Sequence, residues 1–571
     1  MRNIFIIATA SGALCLAQPV FSIGVGDFAL IDTQGDFHKM SYYDNYKAIA
    51  LLVQGNGKNS EQTFVAFNDA QTKYKEKVKF FVLNVSAGTR EAVQEQAKQY
   101  ADLRVLVDDT QLVSGALGVQ KTGEVFLLDQ QSLAVLYRGP ADEPLSKAID
   151  EVLAGRPVSK SRVRVKGDKV AYESSMRSRS VSYAKDIAPI LGDNCARCHR
   201  AGGVAPFAMN SHAVVQGFAP MIREVVMTKR MPPGQIDPAI GHFKTTYTLT
   251  PLQTQKLIGW INAGAKKDGI LDPLAELKWP ESKWTLGEPD LVIKIPPQSI
   301  PASGVLPLKD VIVPIDGMTR DRYVRASEYL AGDRTVLHHT VTGVIPPEAV
   351  GTPTGGIFSY SLDGARITAY IPGTQPLVEP PNTGGQLKKG SALSLNLHYT
   401  TNGKATTDAG EIGLWFYPED QVPLERMSIE CGCILSVGWK PIPPFATNHE
   451  MKRSVTLPKA AYLYGITPHM HFRGKRMRFH AEYPDGRREE LLNVANYQYN
   501  WQLNYELTEP KLLPAGTKIV VNATFDNSVQ NKANPDPSRR VPFGEQSWDE
   551  MMVSAITLKY IDNKDTRQSQ R

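Results

Sequence analysis

Six residues in the second half of the chain have the side-chain types and spacing of a soft metal centre: His338, His339, His398, His469, His471 and Met551. In a strand, the i, i+2 pair His469 and His471 would project both rings from one face. The neighbours His338 and His339 would share a metal only if their strand is distorted or their rings ligate through different nitrogens. Three imidazoles suit copper or zinc, and imidazole with thioether favours Cu(I). Partly buried structural histidines and a core methionine, Met551 or Met552, are the alternatives.

The strongest single motif lies earlier, at Cys195-Ala196-Arg197-Cys198-His199. This C-x-x-C-H spacing predicts covalent c-type haem, with both thiols bonded to the haem and His199 as one axial ligand. We favour Met231, in a proline-rich loop, as the other axial ligand. The rival ligands are Met209, Met221, Met227, His212 and His242. A C-x-x-C disulfide or a zinc half-site is the alternative to haem.

Two further groups of residues receive a structural interpretation. A disulfide is the favoured state of Cys431 and Cys433, and a dithiol that holds Cu(I) is the alternative. Arg473 and Lys475 are interpreted as solvated surface charges rather than as an anion site. Both interpretations are testable in the folded structure.

The first residues have the pattern of a targeting segment. Arg2 precedes an apolar stretch from Ile4 to about Ala17, which predicts a signal peptide over residues 1–22 and a periplasmic or secreted protein. No later apolar run approaches the roughly 18 residues of a membrane span, so we expect no membrane span. The net charge of +6 over 571 residues, without a basic block, argues against a nucleic-acid partner.

Residues 23–157 alternate predicted strands with predicted helices, which indicates an α/β domain. The strands are predicted at Ala48–Gln54, Val78–Val85, Arg104–Val107 and Glu124–Asp129, and the helices at Ser60–Lys75, Thr89–Tyr100 and Leu145–Leu153. This order resembles the peroxiredoxin-like branch of the thioredoxin fold. The domain has no cysteine, and Gln54-Gly55-Asn56-Gly57-Lys58 stands where such proteins carry the reactive thiol. We therefore expect a docking or folding module without thiol chemistry.

The remaining chain divides by composition. Residues 158–182 are predicted to be a polar, Ser-rich linker. Residues 183–269 have predicted helices at Tyr183–Leu191 and Leu249–Ala263, and together with the C-x-x-C-H motif they resemble a small all-α cytochrome c domain. Proline-rich turns and short alternating runs then predict two all-β antiparallel sandwiches of the jelly-roll kind, over residues 285–430 and 431–562.

The order of the metal-ligating motifs resembles the copper type II, ascorbate-dependent monooxygenases, the group of peptidylglycine α-hydroxylating and dopamine β-monooxygenases. The resemblance covers about residues 285–562 and consists of His-His, His-Tyr, His-x-His before Gly-Lys, and Asp-Glu-Met. It implies an electron-transfer copper at His338, His339 and His398. It also implies an oxygen-binding copper at His469, His471 and Met551, because Met551 directly follows Asp549-Glu550.

The resemblance and the haem motif together predict a copper-dependent monooxygenase with two coppers and one haem per chain. It would hydroxylate a C–H bond of a small organic substrate with O2. Electrons from a periplasmic donor would pass from the haem to the three-histidine copper and then to the copper of His469, His471 and Met551, with ascorbate or another external reductant instead of the haem or beside it. Thr467, Val553 and Ala555 stand where peptide-amidating relatives hold a peptide, which disfavours a peptide carboxylate. A non-enzymatic haem and copper electron-transfer or copper-binding protein is the alternative, and a haem peroxidase is disfavoured by the absent thiol.

Overall fold

The computed structural model describes residues 25–55, 60–86, 90–98, 103–172, 181–234, 236–279, 283–352 and 365–561. The predicted signal peptide lies outside these residues. None of the helices in the described ranges is long and apolar enough to cross a membrane.

The N-terminal domain has the thioredoxin-like fold that the sequence predicts. Its sheet has the order β2-β1-β5-β4-β3-β6-β7, in which β3 is parallel to β4 and antiparallel to β6, and β7 completes a hairpin with β6. Helices cover both faces of the sheet, so that buried side chains fill one core on each side. The strands are β1 Ala29–Asp32, β2 Phe37–Lys39, β3 Ala48–Gln54, β4 Val78–Asn84, β5 Arg104–Val107, β6 Val125–Asp129 and β7 Val135–Gly139. The helices are α1 Glu61–Tyr74, α2 Arg90–Ala97, α3 Leu112–Leu117 and α4 Glu143–Leu153, with a 3₁₀ turn at Met40–Tyr43.

A small helical region follows and surrounds one apolar cluster, in which the Tyr183 and Trp260 rings are stacked. Its last helix begins with a capping box, because Thr250 and Gln253 each accept a hydrogen bond from the other's backbone N–H. The elements are π-helical turns at Tyr183–Ile187 and Gly192–Ala196, and helices α5 Ala188–Leu191, α6 His212–Gly217, α7 Ala219–Met227 and α8 Pro251–Asn262.

The next region consists of antiparallel sheets that enclose one hydrophobic core. The sheets have the orders β10-β15-β12, β13-β11-β17-β8 with β14 also on β11, and β16-β9. The strands are β8 Leu291–Lys294, β9 Gln298–Ile300, β10 Lys309–Pro314, β11 Arg322–Leu330, β12 Leu337–Ile345, β13 Leu377–Val378, β14 Gly385–Leu387, β15 Ala392–Tyr399, β16 Thr406–Asp408 and β17 Glu411–Phe416, with a 3₁₀ turn at Pro347–Ala349. We call this region the first β-region.

The second β-region has two four-stranded antiparallel sheets, β18-β25-β20-β23 and β19-β24-β21-β22, on either side of the largest core. Side chains from both sheets fill this core, among them Met451 of β19, Leu463 of β20, Phe479 of β21 and Ile556 of β25, as in a sandwich. The strands are β18 Ser428–Cys431, β19 His449–Thr456, β20 Ala461–His469, β21 Gly474–Glu482, β22 Arg488–Val494, β23 Tyr505–Leu513, β24 Lys518–Phe525 and β25 Val553–Tyr560.

Other parts of the chain dock on the second β-region. Two backbone hydrogen bonds join the helical region to β23. Lys244 N–H donates to the Glu506 carbonyl at 2.8 Å, and Thr508 N–H of β23 donates to the His242 carbonyl of the helical region at 2.9 Å. From the thioredoxin-like domain, the Tyr42 hydroxyl donates to Asp526 at 2.7 Å. The helical region and the thioredoxin-like domain thus both contact the second β-region.

Candidate metal centre

The first histidine set lies on two paired strands of the first β-region. His338 and His339 are on β12, and His339 is directly opposite His398 of β15. The pairing is bulged between Leu337 and His339, which supplies the distortion that adjacent histidines require to face one site. One ligand atom from each of the three histidines lies within 4.8 Å of the others, and all three side chains are buried.

The hydrogen bond of His338 to Asn500 leaves its Nδ1 atom available for a metal. Its Nε2 donates to Asn500 Oδ1 at 3.0 Å, so its Nδ1 carries the lone pair in the neutral ring. This Nδ1 lies 2.8 Å from Nδ1 of His339. A ligating histidine is usually oriented by such a bond on its other nitrogen. The two Nδ1 atoms are therefore close enough to be ligands of one ion.

Burial keeps these imidazoles neutral, which is the form that binds metals. Loss of hydration, with a smaller contribution from the neighbouring His398, lowers the pKa of His338 to about 3. Loss of hydration also lowers the pKa of His398 to about 4. The pKa of His339 lies well below its ordinary value, again mainly because of burial. No proton has to leave these rings when a metal binds near neutral pH.

The second histidine set differs from the predicted strand pair. Strand β20 ends at His469, so His471 lies in the following turn rather than in the strand. The rings nevertheless converge, with centroids 5.1 Å apart. Nδ1 of His469 contacts Oε1 of Gln502. Nδ1 of His471 is buried and has no hydrogen-bond partner among the described residues.

A buried carboxyl group ties Met551 to this turn. Glu550 accepts N–H bonds from His471 at 2.9 Å, from Arg473 at 2.7 Å and from Met551 at 3.2 Å. Burial raises the pKa of Glu550 to about 8, and the three N–H groups and Arg473 oppose the rise. The backbone positions of His471 and Met551 are therefore set by one side chain. The alternative thioether, Met552, packs fully buried in the core of the second β-region.

The two predicted ligand sets lie side by side rather than at separate places. The rings of His339 and His469 have centroids 5.9 Å apart, across the boundary between the two β-regions. Tyr499 stands between the sets: its ring stacks on His338 at 4.4 Å and meets His471 edge-on at 6.1 Å. Its hydroxyl also bonds His398 Nδ1 at 3.0 Å and Ser547 at 2.6 Å. The five histidines thus form one continuous cluster.

Sequence analysis missed the segment that supports this cluster. Tyr499, Asn500 and Gln502 each contact a histidine, yet they lie in the loop between β22 and β23. The dense run of aromatic and amide residues from Tyr497 to Gln502 was the available signal. Local spacing could not show which histidines this loop would reach.

The interpretation of Arg473 as a surface charge is wrong. Its side chain is fully buried. Its guanidinium donates to Asn527 Oδ1 at 2.7 Å and to the carbonyls of Trp548 at 3.0 Å and Asp536 at 3.2 Å. Arg473 thereby binds three segments behind the His471 turn. Lys475 is partly buried and donates to Asn448 at 2.8 Å, so it is not a fully solvated charge either.

Cys195 of the C-x-x-C-H motif packs against the apolar cluster of the helical region. Both Cys195 and Cys198 are free thiols, and burial raises the pKa of Cys195 to about 12. Nδ1 of His199 donates to the Phe207 carbonyl at 3.1 Å, which leaves Nε2 for the iron. The Phe207 and Phe218 rings, stacked at 4.1 Å, provide an apolar wall beside it.

The structure separates the candidates for the other axial position by their environments. Met231 is 40% exposed on its loop, whereas Met209 and Met227 are buried. Met227 packs into the core of the thioredoxin-like domain. His212 is held by a bond from Nε2 to the Ala265 carbonyl at 2.8 Å. Met231 as axial ligand stays a prediction.

Comparison with known proteins finds likenesses in structure alone. No protein-family model matches the chain, and no curated protein does. A hypothetical protein from Sinorhizobium meliloti 1021 is 21% identical over 26% of this chain and 93% of its own, with a TM-score of 0.24. The peroxidoxin BcpB from Mycobacterium tuberculosis is 19% identical over 23% of this chain and 92% of its own, with a TM-score of 0.19. The exposed lipoprotein thioredoxin from Streptococcus pneumoniae is 16% identical over 23% of this chain and 98% of its own, with a TM-score of 0.20.

These likenesses cover about a quarter of the chain and carry no functional argument at such scores. The thioredoxin-like assignment therefore depends on the strand order of the N-terminal domain itself. The haem and metal ligand sets stay predictions.

The remaining cysteines form the predicted disulfide, Cys431–Cys433. Gly432 between them donates its N–H to the Ser554 carbonyl at 3.0 Å, and Ile434 N–H donates to Met552 O at 2.8 Å. The disulfide thus lies beside β25, shortly after Met551.

Proposed function

We propose that this protein is an exported copper- and haem-containing monooxygenase that hydroxylates a C–H bond of a small organic substrate with O2. The observation that carries the proposal is the continuous histidine cluster between the two β-regions, in which the ring centroids of His339 and His469 lie 5.9 Å apart. Such a cluster joins a three-imidazole set to the His469 and His471 pair, to which Met551 would add a thioether. Histidine and methionine donors of this kind are suited to a copper that changes oxidation state.

The chain's own residues would hold the metal and haem groups as follows. His338, His339 and His398 would bind one copper, and His469, His471 and Met551 would bind the other. Cys195, Cys198 and His199 would hold the haem, with Met231 as the proposed second axial ligand. When bound, these groups would supply one-electron transfer and O2 activation.

Residues around the cluster would orient its ligands and restrict solvent. Asn500 fixes the tautomer of His338, and Gln502 contacts His469. Glu550 holds the backbone of His471 and Met551 in one arrangement. Burial of the first set and of His471 limits access of water to the reacting atoms.

The surface beside His469 supports an uncharged substrate. Thr467 is paired with Ala555, and His469 is paired with Val553, across β20 and β25. Residues at i and i+2 share a face of a strand, so hydroxyl, methyl and isopropyl groups line the site next to His469. None of these three residues offers a cation for a carboxylate. We therefore propose an apolar substrate rather than a peptide acid.

Metal content and isotope incorporation test the proposal together. We expect about two copper ions and about one haem per chain. We expect the His338→Ala, His339→Ala variant to lose one copper, while His449→Ala, which changes a partly exposed histidine bonded to the Lys440 carbonyl, keeps both.

The metal-loaded protein is then offered a panel of apolar substrates under ¹⁸O₂ with an external reductant. One labelled oxygen atom per product supports the monooxygenase. Reversible haem and copper redox changes without labelled product would support the electron-transfer alternative instead. Protein that binds neither metal nor haem would contradict both.

A further inference from the structure

The loop between β22 and β23 contacts both histidine sets. Tyr499 stacks on His338 of the first set, and the next residue, Asn500, accepts the bond from that ring's Nε2. Gln502 contacts Nδ1 of His469 in the second set. Trp501, which lies between Asn500 and Gln502, contacts Gly234 and Gly373 instead.

The Trp501 ring is enclosed by two glycines from other parts of the chain. A Cβ atom at Gly234 would lie 2.8 Å from Cδ1 of Trp501, and one at Gly373 would lie 2.6 Å from its Cζ2. Both glycines have positive φ, +72° and +89°, so side chains are excluded there by space and by backbone conformation. Gly234 ends the proline-rich loop of Met231, and Gly373 belongs to the first β-region. Trp501 is therefore in close contact with the helical region and with both β-regions.

Tyr247 extends the packing around Trp501, and Tyr370 pairs with the strand that carries His339. The Tyr247 ring meets Trp501 at 6.2 Å, and its hydroxyl donates to the Gly373 carbonyl at 3.3 Å. Burial raises the pKa of Tyr247, and the nearby Cys198 thiol adds to the rise. Cys198 has the same effect on Tyr370. The backbone of Tyr370 pairs with Thr340, the residue after His339, through bonds of 2.9 and 3.1 Å.

We propose that Trp501 is the electron-transfer contact between the C-x-x-C-H region and the histidine cluster. This inference rests on the proposed function. One electron leaves ferrous haem held by Cys195, Cys198 and His199, and one Cu(II) held by the first histidine set is reduced to Cu(I). The haem becomes ferric, and no proton or bond is transferred. The route runs through Tyr247 and the Trp501 ring and then along the backbone to Tyr499 and Asn500, which both contact His338.

The physical reason is the close packing at Trp501. Electron tunnelling weakens steeply with each gap between atoms, so an aromatic ring wedged between two glycines keeps the route short. The glycines allow the ring to touch two backbones directly. The parallel route through Tyr370 and Thr340 passes along hydrogen-bonded backbone only.

The test is anaerobic stopped-flow absorbance of the full chain, loaded with Cu(II) and with its haem reduced by one equivalent of dithionite. We expect Trp501→Leu to slow haem reoxidation at least about tenfold, because loss of the indole leaves a cavity that breaks the contact. Trp501→Phe should slow it less. The control is Trp439→Leu, which removes a partly buried tryptophan that packs against Phe525 and Phe543 of the same β-region.

Separate readouts keep the inference distinct from the proposed function. The haem spectrum, the reduction potential of the haem and the copper content should be unchanged in Trp501→Phe, which also serves if the leucine variant does not fold. Rates for both Trp501 variants within twofold of the unmodified protein would overturn the inference alone. If bound Cu(II) does not reoxidise the haem in the unmodified protein, the proposed function fails first.

Discussion

Replacing Glu550 by alanine should loosen the turn that carries His471 while the first histidine set stays intact. The carboxyl group accepts three backbone N–H bonds of 2.7 to 3.2 Å, from His471, Arg473 and Met551. All three residues are buried, and Arg473 places a buried guanidinium behind the same turn. In the alanine variant, the three N–H donors have no acceptor.

The expected cost follows from the number of donors. A buried donor without a partner costs about 1–3 kcal/mol, so three of them should reduce the free energy of unfolding by about 3–5 kcal/mol after partial relaxation. Glu550→Gln keeps one acceptor oxygen but turns an NH₂ group toward an N–H donor, so a smaller loss of about 1–3 kcal/mol is expected. The control is Glu545→Ala at a nearby exposed position, with a change within about 0.5 kcal/mol.

Hydrogen exchange of the metal-free protein gives the most local measurement. The amide protons of His471 and Met551 should exchange much faster in Glu550→Ala, and urea unfolding should occur at a lower concentration. Titration with a Cu(I) chelator should show weaker binding at the second set and unchanged binding at the first. Unchanged exchange at His471 together with an unfolding free energy within about 1 kcal/mol of the parent would refute the role of Glu550.

Three more perturbations have definite expected outcomes. Burial lowers the folded-state pKa values of His338 and His398 to about 3 and about 4. Metal-free protein should therefore keep its full stability above about pH 6.5 and lose about 1.4 kcal/mol of unfolding free energy per pH unit for each histidine as the pH falls from about 6 to 4. Urea unfolding that does not weaken over this range would contradict this expectation. Tyr42→Phe removes a bond to the buried Asp526 and should lower the free energy of unfolding by about 1.5–3 kcal/mol, measured on the full chain in urea against the parent. Asn500→Ala frees Nε2 of His338 and should weaken copper binding at the first set about tenfold in a chelator competition, and an unchanged affinity would remove Asn500 from the site.

Elements with a strong local pattern were predictable from the sequence. Strands β3 and β5 begin and end where their apolar and β-branched residues indicated, at Ala48–Gln54 and Arg104–Val107. The distortion at His338 was also predictable, because two adjacent histidines of a regular strand cannot face one site. In these places short-range stereochemistry decides the structure.

Features that depend on distant segments were not predictable. Arg473 had the appearance of a surface charge because its partners, Asn527, Asp536 and Trp548, are more than fifty residues away in the chain. The closeness of His339 to His469 likewise follows from docking of the two β-regions. No spacing rule within one strand contains this information.

The position of the histidine cluster across the boundary between the β-regions links metal binding to assembly. An ion that engages donors near this boundary binds the docked arrangement better than the separated one, so it stabilises docking by mass action. The same linkage works in reverse, because anything that separates the two β-regions must lower the affinity of the site. Two fragments cut between β17 and β18 should therefore reassociate more tightly when copper is added, as complementary halves of one binding site.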